Sequence, residues 1–299
     1  MQSLVSYALS EEQAALRDAV RSFVDREVLP AAMERERIAD AADRVPWGWI
    51  ETLSKMGVRT MPVPEEFGGA GADVLTTCII GEELAAGDLG LAVIFDQTWK
   101  FIPLITTACS PGQRERYLPP FLADDRFLLA LGLHEDGAGS DHFLPYNVAP
   151  HGGRATAVQQ PDGSWLLNGA KTYISNGGLA RLHVIFARTR PGSGGVDGQS
   201  AFFVEEGTPG FSIGRIEDKV GRSLAERRLI SMTAVCPATA CSANSSRHAH
   251  AGPRDPWPRD ADRGNLPRRR PRRLRCRACA RRTHIPGRHE ILQPRHHQT

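Results

Sequence analysis

Two short segments carry most of the chemistry legible in this chain: LGLHEDGAGSD (residues 131–141) and LNGAKTYISNGG (residues 167–178). Each runs from apolar residues into small, turn-forming and hydroxyl-bearing ones. A sheet uses such ends to present backbone donors and short hydrogen-bonding side chains to a ligand. One such segment would pass for an ordinary hairpin end. Two of them, on strands able to lie side by side, predict a shared ligand site.

The elements that must position this site divide the chain in two. Before it, apolar residues recur at helical spacing: Leu16, Val20, Phe23, Val24 and Val28 define a face that starts at a Ser10–Gln13 capping box and is expected to stop at Pro30. Further helices are predicted at 47–56, closed by Gly57, then at 73–86, at 89–108 and in PGQRERYL, ending at Leu118. The stretch MPVPEEFGGAG (residues 61–71) is too rich in proline and glycine for helix and reads as an ordered loop. From Phe127 the grammar changes to short apolar runs (FLLALGL, WLLNG, LHVIFART, SAFFVEE, FSIGRI) separated by Gly, Pro, Asp and Ser, which predicts an antiparallel β-domain. The fold class is therefore α+β: an all-α domain over 1–125, a β middle domain over 126–231, and an Arg/Pro-rich tail over 232–299. The tail shows neither period and is expected to be disordered.

Composition narrows the function classes. No apolar run is long enough to span a membrane, and the N-terminus lacks the regions of a signal peptide, so a cytoplasmic protein is expected. Among the six cysteines, Cys78 and Cys109 read as small buried apolar residues, and the lone CxxC of Cys276 and Cys279 is no zinc signature, so no metal site is assigned. The net charge of +3 hides an acidic body and a basic tail, whose LPRRRPRRLRCR run invites a nucleic-acid reading. Without interleaved aromatics or a recognised binding fold, no nucleic-acid partner is assigned.

Helices, a VPEEFGG loop, a helix pair, and then a β-domain containing GAGSD and NGxKxxISNG resemble, in that order, the acyl-CoA dehydrogenase family over residues 8–230. The resemblance implies a β-barrel-like middle domain and a second helical bundle after it. It also implies FAD, which oxidises the α,β bond of an acyl-CoA thioester while a carboxylate removes the α proton. Carried over by position, Leu131, Leu133 and His134 lie where the family holds the flavin ring through backbone groups and a hydroxyl; the family commonly has threonine where His134 stands, so the backbone contacts are kept and a hydroxyl donor is not. Gly139 and Ser140 fall on the flavin and thioester side of the cleft. Tyr173 takes the place of an aromatic that packs on the ring, and Ser175 that of a hydroxyl at its redox edge. Asn168, Gly169 and Lys171 are expected to build a strand turn, and Asn176, Gly177 and Gly178 the loop after it. Trp99 lies on the helix that in relatives lines the acyl pocket. Lys219, Gly221 and Arg222 match a loop closing the β-domain and receive no chemistry.

The resemblance further implies an acyl-CoA substrate, an electron-transfer flavoprotein as possible acceptor, and a homo-oligomer. A monooxygenase or acyl-CoA oxidase of the same fold, or a non-catalytic fragment, are the alternatives. After EDKVGRSLAERRLI, relatives continue with a segment of the type DCRVPxxxLLGE, where this chain has SMTAVCPATACSANSS. Back-translating residues 232–245 with one allowed choice of codons, and reading from the third base of the Met232 codon, gives DCRVPRDRLLGEF. The codons of Met232 and Thr233 alone force the leading aspartate. A frameshift near Ser231, in the gene or in its sequencing, is therefore expected, with an out-of-frame tail and impaired activity. The family's base lies in the bundle beyond that point, so no catalytic residue is assigned; Glu82, Glu83, Glu135 and Glu226 stand at no position the family uses for it.

Overall fold

The computed structural model describes residues 8–137, 153–190, 198–215 and 217, and the backbone alone of 226–227 and 230–236. These residues belong to one compact unit, Met1–Gly252.

Helix α1 (Glu11–Phe23) opens on the predicted capping box: Ser10 Oγ accepts from Gln13 N–H at 3.1 Å, and the Gln13 side chain accepts from Ser10 N–H at 3.1 Å. Pro30 does not stop the helix, contrary to expectation. A π-helical turn (Val24–Val28) widens the backbone just ahead of it, and α2 (Leu29–Glu36) continues with the proline in its first turn. A proline ring clashes with the carbonyl four residues back, and the wider turn moves that carbonyl away.

Helix α3 (Trp47–Lys55) ends before Gly57, which sits at φ 85°. The 61–71 segment is the ordered loop expected, with one short 3₁₀ turn (Glu65–Phe67). Helices α4 (Val74–Gly87) and α5 (Leu89–Trp99) are capped by Asp73 and Asp88, and Asp88 also pairs with the buried Arg35 of α2. The single helix predicted over 89–108 is broken after Trp99 and resumes as a π turn (Leu104–Ala108), because Pro103 cannot donate back to Trp99.

Helix α6 (Pro111–Ala123) runs past Leu118 despite Pro119 and Pro120. Its last turn is held from outside by Arg59, which is 1 % exposed. That guanidinium donates to the carbonyls of Phe121 (2.6 Å), Leu122 (3.4 Å) and Phe127 (3.4 Å), while its Nε donates to Ser54, whose hydroxyl donates to Asp125. Burial lowers the Arg59 pKa to about 10, against the pull of Asp125 and Asp124, and leaves it charged at neutral pH.

The β-domain contains β1 (Leu129–Gly132), β2 (Thr156–Gln159), β3 (Trp165–Lys171), β4 (Ile174–Ser175), β5 (Leu182–Arg188), β6 (Gln199–Glu205), β7 (Phe211–Ile213), β8 (Glu226–Arg227) and β9 (Ile230–Cys236). Two expectations are corrected. Among the described residues the sheet is open and not barrel-like, and it is mixed, because β1 runs parallel to β5. The cause is visible at β5. Strand β6 pairs along the whole of one edge, so the other edge is shared by β1 and then, at Thr156–Arg188, by the start of β2. The pair β4–β8 forms a separate small sheet. The last strand crosses the boundary drawn at Ser231, pairing with β3 as far as Cys236; residues 237–299 lie outside the described residues.

Strands β1, β5 and β6 are covered on both faces. Leu128, Ala130, Ile185 and Phe202 join a core with Val20, Leu84, Phe95 and Trp99, whereas Leu129, Val184 and Phe203 join a second core with Ile102, Tyr117 and Phe121. This double burial explains why their sequences are near-continuous apolar runs and do not alternate. Cys109 is buried as expected, but Cys78 is exposed. The buried face of α4 is Thr76, Ile80 and Leu84, and Cys78 falls between them in sequence and off that face.

The cap on α6 predicts a measurable cost. Arg59→Met leaves three buried or half-buried carbonyls without their donor and should destabilise the chain by about 3 kcal/mol, read as a lower urea midpoint with unchanged slope.

Candidate functional site

The two segments singled out above are brought together, and the agent is a buried ion pair. Lys171, the last residue of β3, is 1 % exposed and reaches across β1. Its ammonium donates to Glu135 Oε1 at 2.7 Å and to the Leu133 carbonyl at 3.1 Å. Gly132 lets the stem pass: a Cβ there would stand 2.6 Å from Ile185 Cδ1 and 3.3 Å from Lys171 Cγ. The next residue adds a backbone link, Thr172 N–H to the His134 carbonyl at 2.9 Å.

Glu135 is fastened from its other side by the N–H groups of Arg154 and Ala155. Burial alone would push its carboxyl up, but the Lys171 charge and these donors outweigh burial and hold it below the ordinary glutamate range. Burial pulls the Lys171 ammonium below the usual lysine range, against the attraction of Glu135. With the carboxylate ionised at 2.7 Å, the ammonium stays protonated at neutral pH.

Around this link the candidate residues fall as follows. Leu131 and His134 are half-buried and Leu133 is buried. The carbonyls of Leu133 and His134 are taken by the second segment. Ser175 is half-buried at the end of β4, and Tyr173 is 54 % exposed with φ 54°. A positive φ on a bulky, solvent-facing aromatic is costly backbone that surrounding structure must impose. It aims the ring outward from the rim instead of into the core. Gly139 and Ser140, like Asp141, Lys219, Gly221 and Arg222, lie outside the described residues.

Asn168, Gly169 and Lys171 do not form a turn, as had been expected; they lie within β3, where Lys171 makes the ion pair. Asn176, Gly177 and Gly178 do form the loop after it. Asn176 is fully buried at φ 60°, and its amide donates to Ile94 O at 2.8 Å and Leu129 O at 3.0 Å, tying this loop to α5 and β1. Trp99 is 6 % exposed and donates from Nε1 to Val58 O at 2.9 Å. Its ring also borders a groove of about 440 Å³ between α4 and α5, together with Cys78, Gly81, Val93 and Asp96.

Three residues escaped the sequence reading of the site. Sequence marks Glu135 only as standing at no position used for the base, and Lys171 only as a turn residue, although a lysine entering an apolar strand without alternation is itself a signal of a buried partner. His183, inside the apolar run LHVIF, is 1 % exposed and was passed over altogether.

Residues 10–125 match the domain family described as acyl-CoA dehydrogenase, N-terminal domain, and residues 130–235 match acyl-CoA dehydrogenase, middle domain. An acyl-CoA dehydrogenase of Bacillus subtilis (strain 168) is 35 % identical over 214 residues, which cover 71 % of this chain and 52 % of that protein. Among solved structures, butyryl-CoA dehydrogenase from Megasphaera elsdenii superposes with a TM-score of 0.68 at 28 % identity, covering 80 % of this chain and 60 % of that one. A glutaryl-CoA dehydrogenase from Mycobacterium smegmatis in complex with FADH2 gives 0.66 at 26 % identity, covering 78 % and 55 %. The chain thus spans about half the length of the curated relatives it matches.

The ion pair makes two linked predictions. Lys171→Met strands a buried carboxylate and should cost about 3–5 kcal/mol in urea unfolding, most of it recovered in the double variant Lys171→Met/Glu135→Leu. Because the Glu135 pKa is depressed in the fold, its contribution is present above its unfolded value, about 4.3, and is lost as pH falls through the lower folded value. Glu135→Gln should therefore flatten the acid limb of stability against pH.

Proposed function

Because this chain belongs to the acyl-CoA dehydrogenase family through its N-terminal and middle domains, we propose that its paired segments form the flavin side of an FAD-dependent acyl-CoA dehydrogenase site. The observation that carries this reading is the ion-paired rim: Lys171 and Thr172 lock the second segment onto the first, and the neighbouring Tyr173 ring is left exposed on a strained backbone. An exposed aromatic face beside a half-buried hydroxyl and an apolar strand end fits a flat, heteroaromatic ligand with one polar edge. Bound FAD would accept the hydride taken from the β carbon of an acyl-CoA thioester.

The chain's own residues bind and orient. Tyr173 packs on the ring, Ser175 donates at its edge, and backbone groups at Leu131, Leu133 and His134 border it; Gly139 and Ser140, outside the described residues, are assigned to the flavin and thioester side by resemblance alone. His134, half-buried, meets the ring through its main chain, so a histidine there is compatible with the role. Trp99 borders the groove between α4 and α5, where the acyl chain is expected to lie. The electron acceptor is proposed to be an electron-transfer flavoprotein, and the assembled enzyme a homo-oligomer. No helix among the described residues is long and apolar enough to cross a membrane.

We also propose that the reading frame shifts near Ser231, which replaces the family's onward sequence and impairs turnover by the chain as written. Back-translation to DCRVPRDRLLGEF supports this. So does the backbone: the proline of that frame would fall at position 236, the last residue of β9, where a ladder ends and a missing N–H costs least.

Two measurements test these readings. Titrating the purified chain with FAD should give protein-bound flavin absorption, with affinity reduced about tenfold in Tyr173→Ala and about fivefold in Ser175→Ala, the worth of one aromatic contact and one hydrogen bond. A wild-type chain that takes up no flavin overturns the first. For the second, the DNA across codons 228–240 should read GAC in the alternative frame and continue in the family pattern; a stop or unrelated sequence there sinks the frameshift.

A further inference from the structure

Ser175 sits on a tight turn with little freedom. The turn is closed by Gly177 N–H donating to the Ile174 carbonyl at 3.0 Å, and Asn176, its third residue, holds φ 60°. A Cβ at Gly177 would stand 2.9 Å from the Ile174 carbonyl oxygen, so the fourth position admits only glycine. On the helical side the turn is tied by the Asn176 amide to Ile94 and Leu129. On the sheet side it is tied by a residue from a different strand: His183 Nε2 lies 3.1 Å from the Gly177 carbonyl.

His183 is held in place for that contact. It is 1 % exposed on β5, between Ala130 of β1 and Val204 of β6, and the Phe211 ring meets it edge-on with centroids 4.8 Å apart. Facing a carbonyl, Nε2 must carry the proton. Nδ1 is buried with no hydrogen-bond partner. Burial holds the imidazole below the ordinary histidine range, against the opposing pull of the Gly177 and Val204 backbone and, least, of the Glu206 charge, and it remains a neutral donor.

We propose that His183 is a positioning residue for the flavin edge: through the Gly177 carbonyl it fixes the turn that presents the Ser175 hydroxyl. The identity of the ligand rests on the flavin reading above; the anchoring of the turn does not. Chemically, His183 acts at one remove. It touches neither cofactor nor substrate, and it determines where a group that meets the flavin can stand.

The test uses the full chain with His183→Gln, which keeps an N–H donor near the position of Nε2, and His183→Leu, which fills the space without one. Hydrogen exchange of the amides in 174–180 is followed without ligand, and FAD titration with the visible spectrum of the bound flavin is run in parallel. His183→Leu is expected to speed exchange of Gly177, Leu179 and Ala180 by about tenfold, as one lost hydrogen bond would, with the α1–α5 amides unchanged. It should also weaken FAD binding by a similar factor and blur the flavin band structure, while His183→Gln keeps both properties. Should His183→Leu fail to fold, His183→Asn, whose amide is too short to reach Gly177, replaces it. The proposal is overturned if the Leu variant exchanges and binds like the wild type, or if the Gln variant is as impaired as the Leu variant. If the wild type takes no FAD while the exchange contrast holds, the flavin reading falls and the anchoring of the Ser175 turn stands.

Discussion

The buried contact between Lys171 and Glu135 is the constraint on which the rest of the site depends. Taking an ammonium and a carboxylate out of water costs several kcal/mol per ion, and the pair survives only where further partners satisfy both groups. Here they do: Lys171 has the Leu133 carbonyl, and Glu135 has two backbone N–H donors at Arg154 and Ala155. The pair joins the end of β1, the start of the chain leading into β2, and the end of β3. Its specificity exceeds its stabilising value, because an apolar pair could hold these strands together but could not dictate which carbonyl meets which donor.

From that fixed point the geometry spreads in both directions. Thr172 follows Lys171 and bonds to His134, which leaves Tyr173 no choice but to turn outward at positive φ, and the chain must then reverse through Asn176. The reversal is secured on α5, whose own position depends on the Asp88 cap and on the Trp99 bond to Val58. Helical domain and sheet therefore share more than an apolar core: hydrogen bonds from single side chains cross between them and specify which groups meet, which apolar packing alone does not.

Much of this was legible in the residues. The capping box, the glycine stop after α3, the ordered 61–71 loop, the change from helical to strand grammar, and the convergence of the two segments all follow from local signals that tertiary packing reinforces. Pro30 misled because a π turn, which leaves no sequence signature, moved the carbonyl that the ring would have struck. The helix running through Pro119 and Pro120 misled because its cap comes from Arg59, about sixty residues earlier in the chain. Sheet closure and the parallel β1–β5 pair were invisible for a related reason: which edge a strand finds depends on partners distant in sequence. The buried ion pair was half visible, since the lysine stood where an apolar residue belonged, but nothing local named its partner.

Strand β9 lies between β3 and β7, and β7 reaches the main sheet through it alone among the described residues. Its seven-residue ladder to β3 is made of N–H and C=O groups, which every residue but proline supplies alike. A strand held in this way is nearly indifferent to its codons. The ladder to β3 therefore constrains the side chains of this stretch only weakly, while its backbone continuity carries β7.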